Sequence, residues 1–237
     1  MLANWLKLHF VQVRFCLQGL CALPVLYLYV AYLNDGLGEN PLETLTHCSG
    51  RTSLILLVLT LTVTPLRKLL TSFARAQTAT YGKRLSDWNW LVRLRRPLGL
   101  WAFSYGLIHA WVFIEFDLSY QWDALWRETE EKPYLFLGVS ALLLLLPLAI
   151  TSTTAMIRRL GKHWLTLHRL IYLIALLEIF HFWMSLKPDV WRAWPETLAI
   201  AGLLSYRLLL RLGWIPDWQG SDGREVPERV NKGEACY

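Results

Sequence analysis

The chain has 237 residues, 54% hydrophobic and 14% aromatic with thirteen Trp, and only 18% of it is charged. A soluble domain carries about a quarter of its residues charged, so this balance excludes an ordinary soluble enzyme and indicates a membrane protein. The formal net charge of +6 does not indicate nucleic acid, because the charges sit in blocks between apolar runs and not along one basic stripe.

A helix needs about twenty predominantly apolar residues to cross a hydrocarbon layer about 30 Å thick. Six runs meet or approach this, at roughly 12–33, 51–70, 97–116, 133–152, 164–186 and 195–212. At the first run Lys7 and Arg14 precede an apolar stretch, as in a signal peptide. That run is long, however, and "VAYLNDGLGE" lacks an A-x-A cleavage site, so it reads as an uncleaved span. The second run closes on Thr64-Pro65-Leu66-Arg67, where a Pro near a helix end is tolerated. The sixth carries Arg207 and Arg211 near its end, where long side chains snorkel to the interface. The expected fold is an all-α integral membrane protein, a bundle of six transmembrane helices over residues 1–212. A loose cytoplasmic tail follows at 213–237.

The connections alternate in charge. Residues 34–50 hold three acids and no base, and residues 67–96 hold eight bases and one acid. Residues 115–132 hold six acids and two bases, and 153–163 hold Arg158, Arg159 and Lys162 with no acid. Basic loops stay in the cytoplasm, which places both termini there and turns the acidic loops outward. Tryptophans near the span ends, at Trp88, Trp90, Trp122, Trp126, Trp191 and Trp194, read as interface anchors. The four cysteines, Cys16, Cys21, Cys48 and Cys236, form no C-x-x-C pair and no metal-ligand spacing, which argues against a disulfide framework.

Ionisable groups within apolar spans are expensive and mark function. His9, His47 and His163 lie outside the spans or at their edges and read as surface residues, whereas His109, His168 and His181 lie within them. His109 sits about twelve residues into the third run. His168 and His181 differ in depth by about 20 Å along the fifth, so His109 and His181 both fall in the outer half. Two imidazoles from facing helices make a natural clamp for haem iron in a bundle core, and a metal-bound imidazole is not an unpaired polar group in lipid. No His stands opposite His168; Arg95, fourteen residues before His109, occupies that depth. On an ideal helix His168 and His181 lie about 140° apart around the axis, which requires a distorted helix or offset sites. Arg95 and His109 differ by about 40° if their helix extends back past Pro97; Pro97 also suits a first helical turn, which would leave Arg95 outside. Glu178, three residues before His181, shares its face. Arg51 and Arg169, near opposite membrane faces, suit the carboxylates of a porphyrin or interfacial snorkelling.

The segments "LTLTVTPLRK" (59–68), "RRPLGLWAFSYGLIHAWVF" (95–113), "LLLLPLAITSTTAMIRRLGKHWLTLHRLIYL" (143–173) and "FHFWMSLK" (180–187) together resemble the MsrQ (YedZ) family. That family comprises haem-binding membrane subunits of periplasmic protein-methionine-sulfoxide reductases, related to ferric reductase-like and NADPH-oxidase-like membrane domains. The resemblance runs from about residue 10 to 212. It implies b-type haem, one or two per chain, with FMN as a further candidate cofactor. It implies electron flow from the quinone pool or a cytoplasmic flavin reductase to a periplasmic molybdenum-cofactor subunit, MsrP, and a place in the bacterial inner membrane. The family's haem-ligand positions fall on His109, His168 and His181. Where the oxidase relatives have a first His on the third helix, this chain has Arg95, so its level could hold haem, flavin or quinone. A stand-alone ferric or quinone reductase is the alternative within redox chemistry. A proton-coupled transporter using Glu178 and the histidines is the alternative outside it, and the lack of an internal repeat disfavours it.

Overall fold

Asn40 and Pro41 start a helix well before the apolar run that follows them. The Asn40 side chain accepts a hydrogen bond from the Glu43 amide, and Pro41 occupies the first turn, where its missing N–H costs nothing. The resulting helix α2, Pro41–Ala76, is 36 residues long and absorbs residues 41–50, with Glu43, of the stretch expected as a loop; Asp35 and Glu39 stay outside it. The computed structural model describes residues 8–77, 81–186 and 190–214. The expected tail beyond Trp214, with Cys236, falls outside the described residues.

Helix α1 spans Phe10–Leu33 and α3 spans Asn89–Val112, continued by a π-helical turn at Phe113–Asp117. A short amphipathic helix α4, Trp122–Glu131, precedes α5, Pro133–Ile150. Two short helices follow, α6 (Thr154–Leu160) and α7 (Lys162–Leu167), then α8 (Ile171–Ser185) and α9 (Trp194–Arg211). No strand occurs among the described residues. Among the described residues five stretches are long and apolar enough to cross a membrane: α1, α2, Leu85–Asp117, α5 and Lys162–Ser185. The sixth expected span does form a helix, α9, but with Glu196, Arg207 and Arg211 on it α9 is not among those five.

Polar links hold α9 to α2. The Arg51 Nε donates to the buried Glu196 carboxylate at 2.8 Å, and Arg207 Nη2 donates to the Leu61 carbonyl at 2.7 Å. Pro65 lacks the N–H that would satisfy Leu61 four residues earlier, so Arg207 supplies the donor the proline removes. Residue numbers rise together along both helices at these links, so α9 runs parallel to α2. Glu196 therefore takes the Nε of Arg51, the residue offered above to a porphyrin carboxylate.

Small residues let α2 and α3 approach closely, as they do in membrane bundles. The Ser53 hydroxyl donates to the Ala102 carbonyl at 2.9 Å, and a Cβ added at Gly106 would already lie 3.4 Å from Leu142 and 3.6 Å from Ser53. The fully buried Tyr105 hydroxyl reaches α1 next to Pro24, donating to the Cys21 carbonyl at 2.7 Å and accepting from the Val25 amide at 3.1 Å. The α5–α8 contact is the other extensive interface. Large apolar side chains such as Phe136, Leu143 and Leu165 point outward and are exposed, as in a surface that meets lipid.

Three expectations change. Pro97 lies inside α3 and does not start it, so Arg95 and His109 ride one continuous helix. A 3-10 turn, His168–Leu170, interrupts the fifth span. At about 120° per residue in place of about 100°, those three residues narrow the 140° offset between His168 and His181 to about 80°. Trp88 and Trp90, expected at the interface, are buried, and the Trp88 Nε1 donates to the Gly82 carbonyl at 2.9 Å; Trp122 and Trp191 are exposed.

Candidate functional site

His109 projects from α3 toward α2, and its Nδ1 lies 3.0 Å from the Thr46 carbonyl. His181 projects from α8 toward α5, and its Nδ1 lies 2.7 Å from the Tyr134 carbonyl. Each carbonyl is followed four residues later by a glycine, Gly50 after Thr46 and Gly138 after Tyr134. Side chains on a helix lean toward its N-terminus, so a Cβ at the fourth residue on would cover the carbonyl one turn before. A Cβ on Gly50 would lie 2.9 Å from His109 Nδ1, and one on Gly138 would lie 2.8 Å from His181 Nδ1 and Cε1. The two glycines therefore bare the helix backbone to which the imidazoles are anchored.

The planes of the His109 and His181 rings lie at 85° to each other, with centroids 6.0 Å apart. A carbonyl can only accept, so both Nδ1 atoms carry the proton and both Nε2 atoms keep a free lone pair. Metal-binding histidines are oriented in this way. A metal–imidazole bond is about 2.0–2.1 Å and the ring centre lies about 1.1 Å behind the nitrogen, so two rings sharing one metal have centres about 6 Å apart. The pair borders a cavity of about 500 Å³ lined also by Thr46, His47, Arg51, Lys132 and Glu178, within the usual range for cofactor pockets. The Glu178 Oε2 is buried and has no hydrogen-bond partner.

The described residues contain no group of three or more His, Cys, Asp or Glu able to hold a bare metal ion. Two imidazoles alone leave such an ion short of ligands. They suit an iron whose other four positions are filled by a macrocycle. The residues present therefore fit a haem at the His109–His181 level.

His168 lies away from this cavity. Its ring stacks on Trp164 with centroids 3.9 Å apart, its Nδ1 lies 3.1 Å from the Trp164 carbonyl, and its buried Nε2 has no partner. No second imidazole stands opposite it. Arg95 donates to the Thr64 hydroxyl and makes no hydrogen bond to His168, and its Nε is buried without a partner. The structure thus brings together two of the four residues singled out from sequence and leaves two apart. Sequence reasoning missed the Thr46 and Tyr134 carbonyls, Gly50, Gly138 and the cavity-facing position of His47. The signal for the glycines was their place in or beside apolar runs, where a glycine weakens a helix unless close approach requires it.

A family model for the ferric reductase like transmembrane component matches residues 49–179. A protein-methionine-sulfoxide reductase heme-binding subunit MsrQ of Herminiimonas arsenicoxydans is 40% identical over 190 residues, covering 79% of this chain and 77% of that relative. Proteins of the same name from Rhodospirillum rubrum and Ralstonia nicotianae are 37% and 36% identical, covering 81% and 88% of this chain and 83% and 88% of theirs. The chain belongs to the MsrQ family. With its transmembrane family match and five membrane-length helices it is a multi-pass membrane protein. The ferric reductase match contains Gly50, Arg95, His109, Gly138 and His168, and it stops two residues before His181. The His109–His181 pair of this MsrQ member is therefore joined by packing across its edge.

Proposed function

We propose that this chain is the haem-binding, electron-carrying membrane subunit of a protein-methionine-sulfoxide reductase. It passes electrons from the quinone pool or a cytoplasmic flavin reductase across the bacterial inner membrane to the periplasmic catalytic subunit MsrP. That subunit would repair methionine sulfoxide in envelope proteins, a lesion that makes an apolar side chain polar. The observation that carries this reading is the pair of imidazoles 6.0 Å apart, each with its Nδ1 held by a backbone carbonyl. The relatives, whose names state haem binding, support it.

In this reading His109 and His181 hold a b-type haem in the outer half of the bundle. The haem supplies one-electron chemistry, and the protein sets its position, burial and axial ligands. The Thr46 and Tyr134 carbonyls fix both rings in the tautomer that offers Nε2. Lys132, on the cavity wall, is paired with Glu128 and keeps further N–H groups for the carboxylate of a porphyrin, and His47 stands on the same wall beside Glu43. Glu178 lines the same wall one turn before His181 and offers an unpartnered carboxyl oxygen to a hydrogen bond at the cofactor's edge. A relay is required because the apolar layer is about 30 Å thick.

The reading includes six spans with both termini cytoplasmic. The parallel course of α9 and α2 supports this, because the second and sixth spans of such a bundle run the same way. FMN belongs to the reading as a second cofactor, at the level of Arg95 and His168. The test is the absorption spectrum of the purified protein made with ample haem supply. A sharp Soret band that shifts on reduction, with bis-imidazole signals, is expected; a colourless protein overturns the reading.

A further inference from the structure

Away from the histidine pair, toward the other end of α3, the bundle holds a cluster of guanidinium groups without an acid. Arg95 on α3 and Arg207 on α9 donate to Thr64 and Leu61, about one turn apart on α2, and Arg67 follows Thr64 by three residues on the same helix. The Arg207 guanidinium lies over the Tyr172 ring, 4.9 Å from its centroid. Four helices therefore converge on one point. Each arginine spends part of its donor set on the protein: Arg95 on the Thr64 hydroxyl, Arg207 Nη2 on the Leu61 carbonyl, and Arg67 Nε on the Leu85 carbonyl at 3.0 Å. Arg95 Nε and Arg207 Nη1 are left buried with no partner, and neither side chain meets a carboxylate among the described residues.

This arrangement is out of balance. Like charges at short range repel strongly where the dielectric is low. A buried charge is ordinarily paired, and a buried N–H ordinarily bonded. Leu61 and Thr64 need one donor each, not two full cations. Elsewhere in the same bundle the buried charge has its counterpart, since Glu196 meets Arg51 at 2.8 Å. What the cluster lacks is an anion with several acceptor oxygens. Planar guanidinium forks match phosphate oxygens two at a time.

We propose that Arg95 and Arg207, with Arg67 beside them, bind the phosphate group of an amphiphilic ligand at the end of the bundle opposite the histidine pair. A phosphate offers oxygens enough for two or three guanidiniums, which a single carboxylate does not. The Tyr172 ring gives the non-phosphate part an aromatic surface next to the charge. Two sources share this chemistry: the phosphomonoester of the FMN in the function proposed above, on which that arm of the inference rests, and the phosphodiester of an anionic phospholipid. The site does not depend on haem at His109 and His181.

The test uses the full chain in nanodiscs of phosphatidylcholine, alone or with phosphatidylglycerol, comparing wild type with Arg95→Gln, Arg207→Gln and the double variant. Glutamine keeps an N–H for Thr64 or for Leu61 while removing the charge, so the fold is retained; the Soret band of the outer site reports this. FMN binding is read by flavin fluorescence, and retained phosphatidylglycerol by native mass spectrometry. The proposal expects one of the two to bind wild type about stoichiometrically. It expects each single variant to weaken that binding at least about 10-fold, as loss of one charge-assisted partner does, with the Soret band unchanged. FMN binding that phosphatidylglycerol does not displace assigns the phosphomonoester; retained lipid with no FMN binding assigns the phosphodiester. Binding of neither, binding that the variants leave unchanged, or loss of haem in the variants overturns the proposal. A colourless wild type that still binds phosphate through these arginines overturns the haem reading alone.

Discussion

Gly138 and His181 are in contact across the α5–α8 interface: a methyl group at position 138 would sit 2.8 Å from the imidazole. Real Cβ atoms do not approach so closely, so Gly138→Ala must push the ring off the Tyr134 carbonyl. Displaced supporting contacts typically cost 10- to 100-fold in metal affinity. Gly138→Ala should therefore weaken haem binding by about 10- to 100-fold, read from the Soret absorbance per protein at limiting haem. Gly50→Ala should do the same through His109.

His109→Ala and His181→Ala each remove one of the two imidazoles proposed to hold the haem, so each should abolish the bis-imidazole spectrum that the proposal expects. His168→Ala removes a ring that stacks on Trp164 and lies off the cavity, and it should leave that spectrum in place. Electron paramagnetic resonance of the oxidised variants separates the cases. A His168 variant that lost the signal, with the His109 variant retaining it, would reverse the assignment.

Tyr105 is a structural residue close to the same helix segment. Its hydroxyl serves two backbone groups of α1, and Tyr105→Phe leaves them short of a partner. Such a loss costs about 1–3 kcal/mol. A lower thermal midpoint in detergent is expected, with the haem-to-protein ratio of the surviving fold unchanged.

The Arg207–Leu61 contact should depend on Pro65. Arg207→Ala should destabilise the wild type by about 1–3 kcal/mol by exposing an unsatisfied carbonyl. Pro65→Ala returns an N–H to that carbonyl, so the same Arg207 change should then cost about 1 kcal/mol less, within the range of coupling between contacting residues. Strictly additive thermal shifts across this double-mutant cycle would reject the link.

Apolar length made the helices legible in the sequence, because a bilayer leaves few ways to bury backbone groups. Their ends were less legible. Asn40-Pro41 is a helix start by chemistry, but acids around it marked a loop by composition. Pro97 offered a start that α3 does not use, since its real beginning lies at Asn89, after the buried Trp88. His109 and His181 stood out because imidazole in an apolar run is rare. Their partners did not, because a carbonyl has no letter of its own and a glycine announces only the lack of a side chain. The partner of the Arg51 Nε was not legible either, because Glu196 lies 145 residues away.

The two polar links between α9 and α2 lie about 15 Å apart along each helix, ten residues on one and eleven on the other. One is an ion pair and the other answers a proline. A segment bearing three ionisable side chains has little reason of its own to leave the translocation machinery for lipid. Here the earlier helix offers a carbonyl and a guanidinium at matching heights, so the final segment is received by protein and not by hydrocarbon. Helix α9 is thus held in place by a neighbour made some 150 residues earlier.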